Sequence, residues 1–288
     1  NWAAIIGTHK YKLLLSRLAS SYNNSKSSAD LSVIKHQTKL ECFMRLMQPA
    51  PYDPSILSDK GNMHFEKSLK QHFKSGFVSA PSYIRTKTKT GRLTVVSGPP
   101  VLTMHADLRV GLKDAIQVDF RSMEPNLLLA YLGRSTYDDL YSALAQEVFG
   151  GKLSRTKVKL SVIASLYNSE RRNQHAKKIA EFFNVDEVIN NLESLREDNV
   201  IKNMYGRPIN VKNAEKNHLL SLWLQSSAVD AALTGFCNLL SAHKDAIPYW
   251  IIHDALIINN VEIKDKYLDV GNKWKLPIKV ESFDEKQS

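Results

Sequence analysis

Apolar side chains recur at helical spacing along Trp2–Leu18, with lysine and arginine between them, which predicts a helix. A Ser/Asn-rich break follows at Ser20–Ser28. Asp30 is placed to cap a second helix over Leu31–Met47, which Pro49, Pro51 and Pro54 end. A short third helix is expected over Met63–Phe73. The pattern then changes. Ser82–Ser97 alternates and is rich in β-branched residues, with Thr90-Gly91-Arg92 at its middle and Gly98-Pro99-Pro100 closing it. Ala115–Phe120 (AIQVDF) reads as a short buried strand. Helical spacing returns over Met123–Leu132, Asp138–Phe149, Ser154–Tyr167, Glu170–Phe183 and Glu187–Lys202. Tyr205-Gly206-Arg207-Pro208 reads as a loop and Ala214–Leu240 as a long helix. Trp250–Ile252 and Leu256–Ile258 are apolar strands flanking His253-Asp254; Lys264–Lys275 has a helical pattern and Leu276–Phe283 is the expected final strand. Antiparallel strands from distant parts of the chain, with helical insertions between them, predict an α+β fold.

The 288 residues are 43% hydrophobic and 24% charged, an ordinary globular balance with enough apolar material for a real core. The net charge of +10 and sequence pI of about 9.4 suit a polyanionic partner, although charge alone does not select one. The longest apolar runs, Leu127–Leu132 and Trp250–Ile258, fall far short of the ~20 residues of a membrane span, and no signal peptide is visible, so no membrane partner is expected. Cys42 and Cys237 form no CxxC pattern, which excludes a recognisable zinc or disulfide framework and fits a reducing compartment. Asn1 rather than Met stands first, an expectation of residues removed upstream.

Two apolar strands each carry an aspartate: Asp119 near the end of AIQVDF, and Asp254 inside YWIIHDALII. A carboxylate at a buried strand edge is costly unless it is paired or bound to a metal. Brought together in one sheet, the two could hold hard divalent cations and support an in-line phosphoryl displacement. Either one alone is better read as the cap of a turn or a helix. Arg155, Lys159, Ile163 and Tyr167 are spaced by four, so all four lie along one helix face. Such a face can meet a triphosphate, base and sugar, or it can be a solvated basic stripe running into a core stripe.

These segments are joined by a resemblance. Val118–Leu132 (VDFRSMEPNLLLAYL) resembles motif A of family A, polymerase I-like DNA polymerases, Arg155–Tyr167 resembles their motif B, and Ile251–Ile257 (IIHDALI) resembles motif C. Asp139–Phe149 (DLYSALAQEVF), Thr90-Gly91-Arg92-Leu93, Tyr205-Gly206-Arg207-Pro208 and Leu224–Asp230 (LQSSAVD) resemble further family segments in the same order, from about residue 80 to 285. The resemblance implies a right-hand polymerase fold: a reduced thumb-like helical region at 1–80, a palm at 81–135 and 213–288 built on an antiparallel sheet, and helical fingers at 136–212. It implies template-directed addition of dNTPs to a primer on DNA, with two Mg²⁺ ions, Mn²⁺ being able to substitute.

The resemblance also implies roles. Asp119, Asp254 and the carbonyl of Phe120 would bind metal, and Lys159 would join the two aspartates in catalysis. Arg155, Lys159, Ile163, Tyr167, Tyr141 and Glu124 would bind the nucleotide, Glu124 crowding the sugar 2′ position. Arg92, Gln225, His253 and Arg207 would contact DNA. The chain departs from the family at Ile163, Asn168, Tyr141, Ala255 (where a glutamate is usual), Arg121 and Ser122. Its motif B helix also resembles phage-type single-subunit RNA polymerases, which have a small residue in place of Glu124. An RNA- or primer-synthesising polymerase, or an inactive nucleic-acid-binding module, are the alternatives. The roughly 80 residues before Thr90 are too few for the family's exonuclease domain, and the interval between the two aspartates is short for its fingers. A compact phage-like polymerase without proofreading is therefore expected, one that needs a processivity partner or an upstream segment. Its expected place is a bacterial or phage-infected cytoplasm, with an organelle as the alternative.

Overall fold

The structure, a computed structural model, describes residues 2–24, 31–57, 67, 69–167 and 173–283. Its centre is a five-stranded antiparallel sheet. In chain order the strands of the molecule are β1 Ala50–Pro51, β2 Phe73–Lys74, β3 Phe77–Val78, β4 Ser82–Ile84, β5 Thr94–Ser97, β6 Ala115–Phe120, β7 Val200–Lys202, β8 Pro208–Asn210, β9 Pro248–Ile252, β10 Ala255–Asn259, β11 Tyr267–Asp269 and β12 Lys275–Ser282. The large sheet runs β11-β12-β6-β10-β9. The strand AIQVDF therefore lies at its middle, flanked by two strands from the far end of the chain. Ile116, Val118 and Phe120 are buried while Gln117 and Asp119 are half-buried, the period-two alternation of a sheet with one better-covered face.

The long helix is Leu219–Ala242. It buries most of its circumference, which suits a central element rather than an amphipathic surface helix. Gly235 allows its close approach to the sheet: a Cβ there would come within 2.7 Å of the Phe120 ring, and the Phe120 and Phe236 rings sit 5.5 Å apart. One apolar core surrounds the sheet and reaches back to Leu40 and Phe43. A second gathers residues between Leu128 and Leu224, under the helices Leu140–Glu147, Arg155–Tyr167, Gln174–Phe182 and Val185–Ser194. Antiparallel strands and inserted helices make the fold α+β.

Four elements differ from the sequence expectation. The helix expected over Glu187–Lys202 ends at Ser194; Asp198 and Asn199 take positive φ, and the β-branched Val200-Ile201 pair with β8 instead. Lys264–Lys275 is not helical, because Gly271, Asn272 and Lys273 all take positive φ and form the turn between β11 and β12. The long helix starts at Leu219 rather than Ala214, after a 3-10 turn at Lys216–His218. The first helix is broken at Gly7 (φ 90°) into Trp2–Ile6 and Thr8–Asn24. The start of the helix expected over Met63–Phe73 and the Asp30 cap lie outside the described residues; Lys67 and Leu69–Gln71 are helical, and Phe73 opens β2.

Candidate active site

Sheet register brings the two aspartates together. Ala255 lies opposite Asp119 on the β6–β10 ladder, so Asp254 sits one residue away, in the turn between β9 and β10. The Phe120 N–H donates to the Asp254 carbonyl at 3.1 Å. His253, at φ 55°, makes that turn and leaves its ring exposed. Burial pushes the Asp119 carboxyl up to about 7, with the Asp254 charge and then Glu281 adding to the effect. Burial also raises Asp254. Two crowded carboxylates that resist ionisation together make a place that favours positive charge.

That donor set fits a hard divalent cation, which takes carboxylate and carbonyl oxygens. Among the described residues no group of three or more His, Cys, Asp or Glu is disposed to hold a metal ion. A cation at the two aspartates would complete its shell with a backbone carbonyl, such as that of Phe120, with water, or with substrate oxygens.

Beside the pair opens a cleft of about 790 Å³ that brings together Arg92, Glu124, Tyr141, Ile163, Gln225, His253 and Asp254. Glu124 projects from the first turn of the helix Met123–Tyr131, which Ser122 starts from a left-handed conformation just past β6. Asn126 fixes the start of that helix, donating to the carbonyls of Arg121 and Tyr137 and accepting from the Tyr137 N–H. Burial raises the Glu124 carboxyl, and Arg92, 3.4 Å away across the cleft, works against that.

The helix Arg155–Tyr167 presents a mixed face. Arg155 and Lys159 are exposed and Ile163 is 43% exposed at the cleft wall. Arg155 pairs with Asp139 at 3.0 Å, and its guanidinium lies 5.3 Å over the Tyr141 ring, in cation–π range. The Tyr167 hydroxyl is buried with no hydrogen-bond partner among the described residues. Asn168 lies outside them.

Arg207 has a place inside the fold rather than on the surface expected of a DNA contact. It is 8% exposed, pairs with Asp230 at 3.0 Å and donates to the Thr90 carbonyl at 2.8 Å. Arg85 also binds Asp230 and donates to the Gly91 carbonyl, while Gln37 and Asn203 donate to the same carboxylate. Burial alone would raise Asp230, but Arg207 and Arg85 hold it well below the usual carboxylate range. This internal cluster fixes the Thr90–Arg92 loop from behind. Its key partner, Arg85, belongs to none of the quoted motifs, and no local pattern marks a pairing across 145 positions.

No family model matches the chain, and no curated protein matches it. Solved structures do. One is the POL domain of Pol1 from M. smegmatis in complex with a DNA primer-template and a dNTP, with a TM-score of 0.57 at 17% identity. The fold is that of a polymerase domain. The match covers 76% of this chain and 50% of that one, so the chain spans about half the length of the structure it resembles.

Proposed function

We propose that this chain is a template-directed DNA polymerase that adds dNTPs to a primer 3′ end by two-metal nucleotidyl transfer. The carrying observation is the pairing of Asp119 with the Asp254 turn beside a cleft lined by Glu124. The likeness to a polymerase domain solved with primer-template and dNTP supports the same reading. On it, the central sheet belongs to the palm, the helices between Leu140 and Ser194 to the fingers, and the N-terminal helices to a reduced thumb.

Two Mg²⁺ ions, when bound, supply the Lewis acidity that activates the primer 3′-hydroxyl and stabilises the departing pyrophosphate. Asp119, Asp254 and the Phe120 carbonyl would hold them. Arg155 leaves Asp139 for the triphosphate, and with Lys159 neutralises charge as it develops on the phosphates. Lys159 would also give a proton to the leaving pyrophosphate. Ile163, Tyr141 and Tyr167 bound the base and sugar. Glu124 occupies the space a 2′-hydroxyl would need, which selects deoxyribose. Arg92, Gln225 and His253 face the primer-template side of the cleft.

A ribonucleotide polymerase on the same fold is the second reading; Ile163 and Ala255 depart from the DNA polymerase pattern and are compatible with either. Extension of a labelled primer on a DNA template with Mg²⁺, with dNTPs and rNTPs supplied separately, tests both. Extension with dNTPs alone is expected. Extension with rNTPs as efficient as with dNTPs would turn the assignment to the second reading, and no extension with either would point to a required partner or further segment, or to a binding module.

A further inference from the structure

Two charged residues beside Asp119 belong to none of the motifs. On the β6–β12 ladder Lys279 lies directly opposite Asp119, and Glu281 lies opposite Gln117. Side chains alternate along a strand, so Gln117, Asp119, Lys279 and Glu281 share one face. Glu281 therefore sits on the diagonal from Asp119, about 7–8 Å away between backbones. Its side chain is 26% exposed and pairs with that of Lys279, which is 53% exposed. On the other flank of β6 the residue opposite Asp119 is Ala255, where the resembled family has a glutamate. The carboxylate missing from β10 thus has a counterpart on β12.

Lys279 is the more exposed of the two and stands directly opposite Asp119, while Glu281, on the same face, is the partly buried carboxylate that β12 brings to that side of the sheet.

Resting on the two-metal reading above, we infer that Glu281 is a positioning residue that supplies a third carboxylate charge to the cation site formed by Asp119 and Asp254. It does not complete a three-carboxylate ligand set. It acts through space or through cation-bound water, strengthening the hold on a divalent ion, and Lys279 is its counterion when no cation is present. At that separation, in a half-solvated setting, one charge is worth on the order of tenfold in affinity for a divalent cation.

Mn²⁺ binding to the full chain without DNA, followed by the electron paramagnetic resonance signal of free Mn²⁺, tests this in wild type, Glu281→Gln, Lys279→Met and the double variant. Glu281→Gln is expected to weaken binding about tenfold whether or not Lys279 is present. In primer extension it is expected to raise the half-saturating Mg²⁺ concentration while leaving dNTP saturation in place. An unchanged Mn²⁺ affinity in Glu281→Gln would overturn the inference. So would a loss seen only when Lys279 is present, since Glu281 would then act merely by restraining the lysine. Asp119→Asn and Asp254→Asn run alongside and are expected to abolish binding. Wild-type binding in both of those would sink the two-metal reading itself, whereas their loss with a neutral Glu281→Gln would sink only the role of Glu281.

Discussion

The backbone N–H of Phe120 donates to the carbonyl of Asp254 at 3.1 Å, tying the end of β6 to the turn before β10. The two carboxylates are thus neighbours by virtue of main-chain bonds and sheet register, with no side-chain contact needed to hold them there. Changing either side chain leaves that frame in place. Asp119→Asn and Asp254→Asn are each expected to cut nucleotide incorporation by about 10³-fold or more while primer-template affinity changes little. Single-turnover extension beside a DNA-binding titration checks this; near-normal turnover in either variant contradicts the assignment.

Burial, with the charges of Asp254 and Glu281, pushes Asp119 from the usual 3.8 up to about 7. A carboxyl raised in the folded state keeps a proton that the unfolded chain has already released. That contribution to stability is fully present below about pH 4 and is lost as pH rises through about 7. Asp119→Asn is therefore expected to melt above wild type at pH 8 without divalent cations, and level with it near pH 4. Added Mg²⁺ narrows the gap by stabilising the wild type alone. Equal melting temperatures at pH 8 in chelator count against the electrostatic account.

Glu124 projects into the cleft from the first turn of its helix, with a side chain 23% exposed and Arg92 at 3.4 Å. On the proposed function, Glu124→Ala would open space at the sugar 2′ position. Discrimination against rNTPs is expected to fall by about 10²-fold or more, read from the ratio of kcat/KM values for the two sugars. Unchanged selectivity removes Glu124 from the gate.

Asp230 is wholly buried between Arg85 and Arg207. Asp230→Ala leaves two arginines facing each other without a counterion and is expected to cost about 3–5 kcal/mol of stability in urea unfolding. Arg207→Met removes one arginine and frees the Thr90 carbonyl, so it is expected to be destabilising and to weaken primer-template binding through the Arg92 loop. Loss of stability with wild-type DNA affinity would limit the cluster to a purely structural role.

The motif-bearing elements were legible because each is short and local. AIQVDF alternates, the Arg155–Tyr167 helix repeats its spacing by four, and His253-Asp254 interrupts an apolar run where two strands must turn. The helical readings of Glu187–Lys202 and Lys264–Lys275 failed where short runs of positive-φ residues, Asp198-Asn199 and Gly271-Asn272-Lys273, redirect the chain. Such positions weigh little in a periodicity that averages over many residues. Arg207 could not be told from a DNA contact by its motif, since an arginine next to a turn glycine serves either purpose.

By itself the sequence determined the class of most main elements, the α+β arrangement and the candidate residues for phosphoryl chemistry, because those follow from side-chain periodicity and from functional groups written into the chain. Only the tertiary structure decided that β6 lies between β10 and β12, which sets Asp254 on one side of Asp119 and Lys279 with Glu281 on the other. It also decided that Asp230 gathers Arg85 and Arg207 inside the fold. Strand order, register and burial arise from packing between segments more than a hundred residues apart, and no local stretch of sequence contains that information.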